Sequence, residues 1–461
     1  MSETSETSET SETSALVASR ALRRRTPLIA NLAAAFFSLG GNAIAIVALP
    51  IIALQLTGSP LAAGVAGVFA TVPLVIGGAL GGVLVDRFGF RASSVVADLA
   101  SAAAVLAIPI LHATVGLSFG ALLALTFVGG LLDPPGDAAK TSLTPDLAAL
   151  ARTPIARAAG AQSAVQRTAS MVGAGTAGVV IGFAGPMPAL VVDAAGFVVA
   201  ALLVFAFVPR GRVWLAAGDA AGDAESGAAT AGGRAAFRDG LRFVVRSPLL
   251  RAIVLLVTLT NAIDAAGLTV LKPLYATRIL GDPAMLGFMV GCFAAGALVG
   301  SAVFGAIGHR WSGRTLFAIG FMLAGAPPYL AMALGAQPPV LLPLLAASGL
   351  AAGALNPMIS TAMYGLIPDG MRARVFGLTT AGVTATMPLG AFLGGAAAAG
   401  VGLVPTLAVC GVLYAVLGAS PLFLRAFGGL AGAASAPSGA SAPSAPSAQG
   451  SAPDRSSAVS G

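Results

Sequence analysis

Apolar runs of about 20 residues recur along this chain from Leu28 to Phe423, separated by short polar breaks. A helical run of that length crosses the ~30 Å hydrocarbon core of a bilayer. Charged residues make up 9% of the chain and apolar residues 57%, whereas a water-soluble domain has about a quarter of its residues charged. The sequence therefore excludes a soluble globular protein and predicts one that crosses the membrane many times.

Charges and Gly/Pro clusters divide the apolar sequence into twelve predicted membrane helices. The predicted spans are 28–55, 61–84, 92–112, 117–136, 160–184, 187–208, 249–273, 284–308, 315–335, 339–364, 374–398 and 402–425. The predicted fold is thus an all-α polytopic membrane protein with two six-helix bundles, at 27–208 and 249–426. The segments 1–26, with its SET repeat, and 427–461, rich in Ser, Ala and Pro, are expected to be disordered and cytoplasmic.

The interval 209–248 is predicted to be a cytoplasmic linker that ends in an amphipathic helix. Its basic residues recur every fourth position beside apolar ones, at Arg234, Arg238, Arg242 and Arg246. On a helix this spacing forms a basic stripe, which suits either the anionic inner surface of a membrane or a solvated cytoplasmic helix.

The basic residues fall in the breaks between apolar runs, and nearly all fall on one side. With the N-terminus inside, the other side receives only Lys272 and Arg278, while Lys140 is counted in a cytoplasmic loop. This asymmetry predicts a multi-pass protein of the bacterial inner (plasma) membrane, with an even number of helices and both termini cytoplasmic. The net charge of +7 is explained by this topology, so we expect no nucleic-acid partner.

Cysteine and histidine usage argues against metal, redox or cofactor chemistry. The two cysteines, Cys292 and Cys410, lie inside apolar runs, and the chain has two histidines and no HExxH or CxxC spacing. No glycine-lysine pair completes a phosphate-binding loop, so an ATP-driven pump is not supported. We expect no cofactor, no metal site and no enzymatic activity.

The first six predicted helices and the last six are similar. A shift of 223 residues superposes, without a gap, Pro50 on Pro273, Gly58 on Gly281, Pro60 on Pro283, Gly64 on Gly287, Arg87 on Arg310, and Arg91 on Arg314. Matched glycines are weak evidence in a chain with 60 of them, but the prolines and arginines are not. Two parallel six-helix halves are typical of a rocking-bundle transporter, whose substrate cavity lies between the halves near the membrane midplane.

The sequence GVLVDRFGFR follows the second helix and contains Gly82, Asp86, Arg87, Gly89 and Arg91. It resembles motif A of the major facilitator superfamily, G-x-x-x-D-R-x-G-x-R. The resemblance implies a cytoplasmic gate in which Gly82 allows close helix approach and Asp86 pairs with cations or caps a helix. The alternative is that these charges only set the membrane topology.

A second copy of the motif, GAIGHRWSGR, contains Gly305, His309, Arg310 and Arg314. His309 stands where the first copy has Asp86, so we expect the stronger latch in the first copy.

Further stretches resemble the transmembrane secretion effector branch of that superfamily, which includes enterobactin-exporter-like proteins. They are DPPGDAAKTSLTPDL (133–147), AGAQSAVQRTASMVGAGTAGVVIG (159–182), VVDAAGF (191–197) and GLRFVVRSPLLR (240–251). The resemblance implies proton-coupled efflux of drugs, siderophores or other secondary metabolites.

Three positions depart from the pattern of these relatives. Gly173 is followed by Ala174 instead of the proline of drug antiporters, and Asn42 follows Gly41 where relatives often have Asp. No basic residue lies in the predicted fourth helix, before Lys140.

Ionisable side chains inside membrane helices are functional candidates because burying a charge in hydrocarbon is costly. Asp264 lies deep in predicted helix seven, on the same face as Asn261 and two turns before Lys272. In this superfamily the first helix of each half lines the cavity, so Asp264 is predicted to bind a proton or a cationic substrate. The alternative for Asp264 is a hydrogen bond between helices.

Polar residues in the first half complete the candidate set. Asn31, Ser38 and Asn42 fall on one face of the first helix and are expected to line the path. Asp98 in the third helix is expected to support the latch, and Asp193 in the sixth to have a packing role.

The sequence thus predicts a monomeric secondary transporter surrounded by membrane lipids, which exports a small-molecule substrate in exchange for protons. One alternative is an importer or uniporter of a nutrient. Another is a membrane sensor or scaffold without transport activity. The substrate itself is not encoded in any motif.

Overall fold

The computed structural model describes residues 3–209, 241–307, 313–367 and 372–429, and within these ranges the chain is helical without strands. The predicted all-α fold is confirmed. Its long helices are α1 (Glu3–Thr57), α2 (Pro60–Phe88), α3 (Phe90–Thr114), α4 (Phe119–Leu150), α5 (Ile155–Ala184), α6 (Pro186–Phe207), α7 (Pro248–Ile279), α8 (Met285–Ile307), α9 (Arg314–Ala333), α10 (Pro338–Leu366), α11 (Arg372–Gly400) and α12 (Leu403–Phe423). A 3₁₀ turn, Arg425–Gly429, follows α12.

Eleven of the helices in the described ranges are long and apolar enough to cross a membrane. The exception is α5, whose first half carries Arg157, Gln162, Gln166 and Arg167. Polar residues of a membrane helix usually face the bundle interior or a water-filled cavity, which lowers the overall hydropathy of such a helix. The chain is therefore a multi-pass membrane protein.

Two helices, α4 and α1, extend much further than predicted, and smaller extensions occur elsewhere, as in α7, which continues to Ile279. The predicted fourth helix stops at residue 136, but α4 continues to Leu150 and contains Pro134, Pro135 and Pro145. The prediction was wrong because membrane helices tolerate proline when neighbouring groups satisfy the freed backbone carbonyls. α1 begins at Glu3, so its helix includes residues 3–26, a segment that we expected to be disordered.

α7 contains two π-helical segments, Gly267–Leu271 and Tyr275–Ile279, on either side of a short α-helical stretch that includes Pro273. π-Helical turns inside α-helices often mark functional sites. Pro273 is the repeat partner of Pro50 in α1, so both first helices carry a proline at the same level.

The helices of the two halves pack in the same pattern. α1 packs on α5 and α6, α2 on α4, and α3 on α4 and α6, and the second half repeats this with α7 on α11, α8 on α10, and α9 on α10 and α12. The main contacts between the halves are α2 on α11 and α5 on α8. The internal repeat relates these two crossings to each other, as expected for two pseudo-symmetric bundles.

The two sides of the molecule differ in how the halves meet. We call the side where α1 ends at Thr57 the distal side, and the side where α6 ends and α7 begins the terminal side. On the distal side the cores interlock: Leu54 and Ala63 pack in the core of the second half, and Ala276 and Leu286 in the core of the first.

On the terminal side each described core draws its residues from one half. One contains Leu28, Leu147 and Val204 of the first half, and the other Leu249 and Phe317 of the second. The halves are therefore held together mainly on the distal side.

Glycines form the distal crossings. A Cβ on Gly64 of α2 would lie 2.8 Å from the carbonyl oxygen of Ala391 and 3.0 Å from Cα of Gly395, both in α11. A Cβ on Gly178 of α5 would lie 3.1 Å from the amide nitrogen of Phe288 in α8. The backbones approach this closely because no side chain stands between them, as is common where membrane helices cross.

Candidate functional site

A cavity of about 350 Å³ lies between the two halves, within the size range of small-molecule sites. α1–α4 and α6 form one wall, and Ala265, Leu268 and Thr269 of α7 with Met387 of α11 form the other. Most lining residues are aliphatic. The polar ones are Asn42, Thr71, Ser101, Thr126, Asp133 and Thr269.

Asp133 of α4 is the ionisable residue among the described residues that line this cavity. Its side chain is buried, with 9% of the residue exposed. One carboxylate oxygen, Oδ2, accepts a hydrogen bond of 2.7 Å from Asn42 Nδ2, and the other, Oδ1, has no hydrogen-bond partner in the described part of the chain. The cavity thus contains a carboxylate with one oxygen atom that accepts no hydrogen bond from the described residues. The predicted path residue Asn42 does lie in the cavity wall.

A buried ion pair lies one to two turns of α4 from Asp133, toward the terminal side. Lys140 Nζ is 2.7 Å from Asp98 Oδ1 in α3, and both residues are almost fully buried. The same ammonium donates a hydrogen bond of 3.0 Å to Ser38 Oγ in α1 and lies 3.7 Å from Asp137 Oδ1. Because a buried ammonium needs both charge compensation and hydrogen-bond acceptors, these contacts fix α1, α3 and α4 together.

Asn31 extends this network along α1. Its Nδ2 donates to the Lys140 carbonyl oxygen at 3.0 Å and to Thr144 Oγ1 at 3.4 Å. Beside it lies a small cavity of about 40 Å³, enough for a water molecule. Asn31, Asp137, Lys140, Gln162 and Gln166 are among its lining residues. The polar face predicted for α1 therefore divides its contacts between two cavities and the ion pair.

The charged face of α4 was missed by the sequence interpretation. Asp133, Asp137 and Lys140 are spaced by four and three residues, which places them on one face of a helix. The expectation that no basic residue lies in the fourth helix was wrong, as was the count of Lys140 as a loop residue. The spacing itself could have revealed this face, because charges in a polar loop need not follow helical periodicity.

Asp264, the predicted proton or cation site, contacts another helix and is not among the residues lining the central cavity. Its Oδ2 accepts a hydrogen bond of 3.1 Å from the Tyr414 hydroxyl of α12. Asn261 donates to the Val257 carbonyl oxygen at 2.8 Å within α7. Lys272 Nζ lies 5.6 Å from the ring centre of Phe293 in α8. The contact seen at Asp264 is the alternative considered for it, a hydrogen bond between helices.

Motif A is placed where α2 turns into α3. Gly89 has φ +80° and ψ 153° between the two helices, a conformation that strains other residues. Arg91 donates a hydrogen bond to the carbonyl oxygen of Phe205 near the end of α6, with its guanidinium carbon 5.0 Å from the Phe205 ring centre. Arg87 is exposed. The motif thus joins α2, α3 and the end of α6.

Parts of both motif copies fall outside what the structure describes. For Gly82 and Asp86 only the helical backbone in α2 is described, and His309 and Arg310 lie outside the described residues entirely. Gly305 lies in α8 and Arg314 begins α9. The latch of Asp86 stays a prediction. So do the linker stripe, of which Arg234 and Arg238 lie outside the described residues, and the tail beyond residue 429.

Asp193 lies in α6 with its side chain fully buried. Neither carboxylate oxygen has a hydrogen-bond partner, and one of them would overlap a Cβ placed on Gly41 of α1. The carboxylate therefore fills the space that this glycine leaves, and the packing role expected for Asp193 stays a prediction.

Comparison with known sequences identifies relatives over most of the chain. The sequence profile of the Major Facilitator Superfamily matches residues 254–453. The multidrug efflux pump Tap of Mycolicibacterium fortuitum is 29% identical over 412 residues, which cover 87% of this chain and 96% of that protein. Tap of Mycobacterium tuberculosis is 28% identical over 376 residues, which cover 80% of this chain and 87% of that protein.

Solved structures share the fold at low sequence identity. A mutant of the nucleoside transporter NupG has a TM-score of 0.68 at 12% identity, covering 86% of this chain and 99% of its own. The inward-open xylose transporter XylE from E. coli has a TM-score of 0.63 at 13% identity, covering 86% and 96%. With the helix arrangement, the repeated motif and the sequence profile in agreement, the chain belongs to the major facilitator superfamily.

Proposed function

We propose that this protein exports drug-like small molecules from the cytoplasm through the cavity between its halves, in exchange for protons. The observation that carries the proposal is the largely aliphatic cavity of about 350 Å³ between two pseudo-symmetric bundles. The similarity to Tap multidrug efflux pumps over most of both chains favours efflux over nutrient import, and over a sensor or scaffold without transport activity.

The packing of the halves suits one state of an alternating-access cycle. Interlocked cores and glycine crossings close the distal side, and Arg278 Nη2 adds a hydrogen bond of 2.7 Å to the Gly58 carbonyl oxygen in the opposite half. Separate cores on the terminal side leave the halves free to part there. In the opposite state the crossings of α2 on α11 and α5 on α8 would separate, and motif A would hold the terminal side closed.

The direction of export depends on the orientation of the protein in the membrane. The one-sided distribution of basic residues supports a cytoplasmic terminal side, so the substrate would enter from the cytoplasm and leave on the distal side. A proton moving inward down its gradient would supply the free energy for this step.

Drug susceptibility tests the proposal directly. Expressed in a bacterium whose own efflux pumps are deleted, the protein should raise the inhibitory concentration of several unrelated compounds. Inside-out vesicles should take up a fluorescent substrate while their interior is acidic relative to the outside. Uptake should stop when this pH gradient is collapsed. Transport in the opposite direction, or transport that ignores the gradient, would favour the importer or uniporter.

A truncation separates transport from a scaffold function. Removing residues 430–461 should leave efflux unchanged, because the bundles, the cavity and the crossings lie before that segment. A scaffold that acts through its tail would lose its function in the same variant.

Labelling of cysteines substituted for Arg87 and Arg310 should show both positions accessible from the cytoplasm.

A further inference from the structure

We propose that the carboxylate of Asp133 binds the cationic group of an amphipathic organic monocation, and that a proton and this cation occupy the carboxylate in turn. The inference rests on the proposed export function and names its substrate class and the residue that exchanges ligand for proton. It places the coupling site in α4 instead of at Asp264 in α7.

Asp133 has no charged partner of its own among the described residues. The nearest ammonium on its helix face, that of Lys140, is held by Asp98 at 2.7 Å and by Ser38 at 3.0 Å. The other described partner of Asp133 is the uncharged amide of Asn42, which satisfies one oxygen and leaves Oδ1 free. A carboxylate buried in this way needs a proton or an external cation, because its desolvation is otherwise uncompensated.

The ionisable groups around Asp133 do not balance in charge. The ionisable groups that face Asp133 are Asp137 and Lys140 on α4 and Asp98 on α3, while the lining residues of α1 and α2 there are uncharged. With all carboxylates ionised, three negative charges oppose one positive charge. The network therefore gains stability from one added positive charge, and the cavity is the place from which it can come.

The cavity wall suits an apolar molecule that carries a single positive charge. Aliphatic side chains such as Ile46, Leu49, Leu125 and Leu268 line the same cavity as the carboxylate. An apolar body with a single positive charge can bury its surface against these side chains and still pair its charge. A polar sugar or a doubly charged molecule would leave groups unsatisfied in the same space.

The exchange conserves charge at the site. In the empty cavity the carboxyl group carries a proton; when the cation arrives, the O–H bond breaks, the proton leaves to water on the terminal side, and the carboxylate pairs with the cation. After the halves rock, protonation from the distal side releases the cation there. Because both ligands need the same oxygen atoms, they cannot be carried together, and exchange transport results.

The test uses tetraphenylphosphonium, a permanent monocation, and uncharged triphenylphosphine oxide as a probe of similar shape. In weakly buffered detergent solution, binding of the cation to the purified full-length protein should release protons, and its affinity should fall by up to about tenfold for each unit of decrease in pH. The uncharged probe should release none. Asp133→Asn should abolish proton release and weaken cation binding by at least about tenfold, while binding of the uncharged probe remains.

Two variants control for structural effects. Asp133→Glu keeps the charge and should retain proton release. Asp193→Asn removes a carboxyl group that is also buried in the first half but lies outside the cavity lining, and should behave like the unaltered protein. The inference is overturned if Asp133→Asn binds the cation normally, if it loses both probes alike, or if the unaltered protein binds no cation. Drug efflux that continues in any of these cases would leave the proposed function standing.

Discussion

The two halves share one architecture but distribute their polar groups differently. In the first half α4 carries Asp133, Asp137 and Lys140, and the last pairs with Asp98 deep inside the bundle. In the second half the equivalent helix, α10, has no charged residue, and the partly buried acid Asp264 has a tyrosine hydroxyl as its described partner. The difference indicates that packing was retained in both copies, whereas the charged chemistry of the cavity is concentrated in the first.

The largest effect is expected from breaking the buried ion pair of the first half. Lys140→Met leaves Asp98 without its cation, and the loss of one partner of a buried pair typically costs about 3–5 kcal/mol. Thermal unfolding in detergent should show a clear decrease in midpoint. Lys272→Met is the matched variant in the second half; because the Lys272 ammonium lies over the Phe293 ring, its loss should cost no more than about 2 kcal/mol. Equal costs in the two variants would contradict the asymmetry between the halves.

The next effect concerns the distal crossing, where the halves are equivalent. Gly64→Leu places a side chain against Ala391 and Gly395, and such overpacking costs about 1–3 kcal/mol in the closed arrangement. Because the penalty applies only while the crossing is closed, distal accessibility to a thiol reagent should increase and transport should slow. Gly120→Leu, at a distal glycine with open space around it, is the control and should change neither. Unchanged accessibility in Gly64→Leu would show that the crossing is not part of the gate.

A smaller effect is expected at the motif turn of the first half. Gly89→Ala forces alanine into a backbone conformation that costs about 1–3 kcal/mol. The loss should appear as a lower unfolding midpoint and reduced transport. Gly160→Ala, inside helix α5 with open space at its Cβ, should be neutral or slightly stabilising because alanine favours helix. A neutral Gly89→Ala would mean that this turn relaxes at no cost.

The smallest effect is expected at Asp264 of α7, the partly buried acid of the second half. Tyr414→Phe removes the hydrogen bond to Asp264, which is worth about 1–2 kcal/mol, and Asp264→Asn keeps a group of the same shape there. If coupling resides at Asp133, proton-driven efflux continues in both variants, as measured in vesicles with an imposed pH gradient. Loss of gradient dependence in Asp264→Asn would restore the sequence-based assignment of the proton site.

Several features of the site could be predicted from sequence and others could not. Asn42 was expected on the path and lies in the cavity wall, because its position on one face of α1 follows from helical spacing alone. Asp133 was missed although it lies inside the predicted fourth helix, because that helix was ended before Asp137 and Lys140, whose spacing reveals the charged face. Asp264 was chosen because it lies deep in an apolar run, but depth along a helix does not say which neighbour a side chain faces.

The sequence by itself determined the membrane-spanning, all-helical architecture and its internal repeat. Segment length, hydropathy and charge asymmetry are properties of the chain that the bilayer acts on directly, whatever the helices later contact. Only the tertiary structure decided which buried charges pair, where the central cavity lies and which side of the molecule is closed. Those properties depend on distances between residues far apart in sequence. Asp98 pairs with Lys140, Asn42 donates a hydrogen bond to Asp133, and Gly64 lies against Gly395 only once the helices have packed.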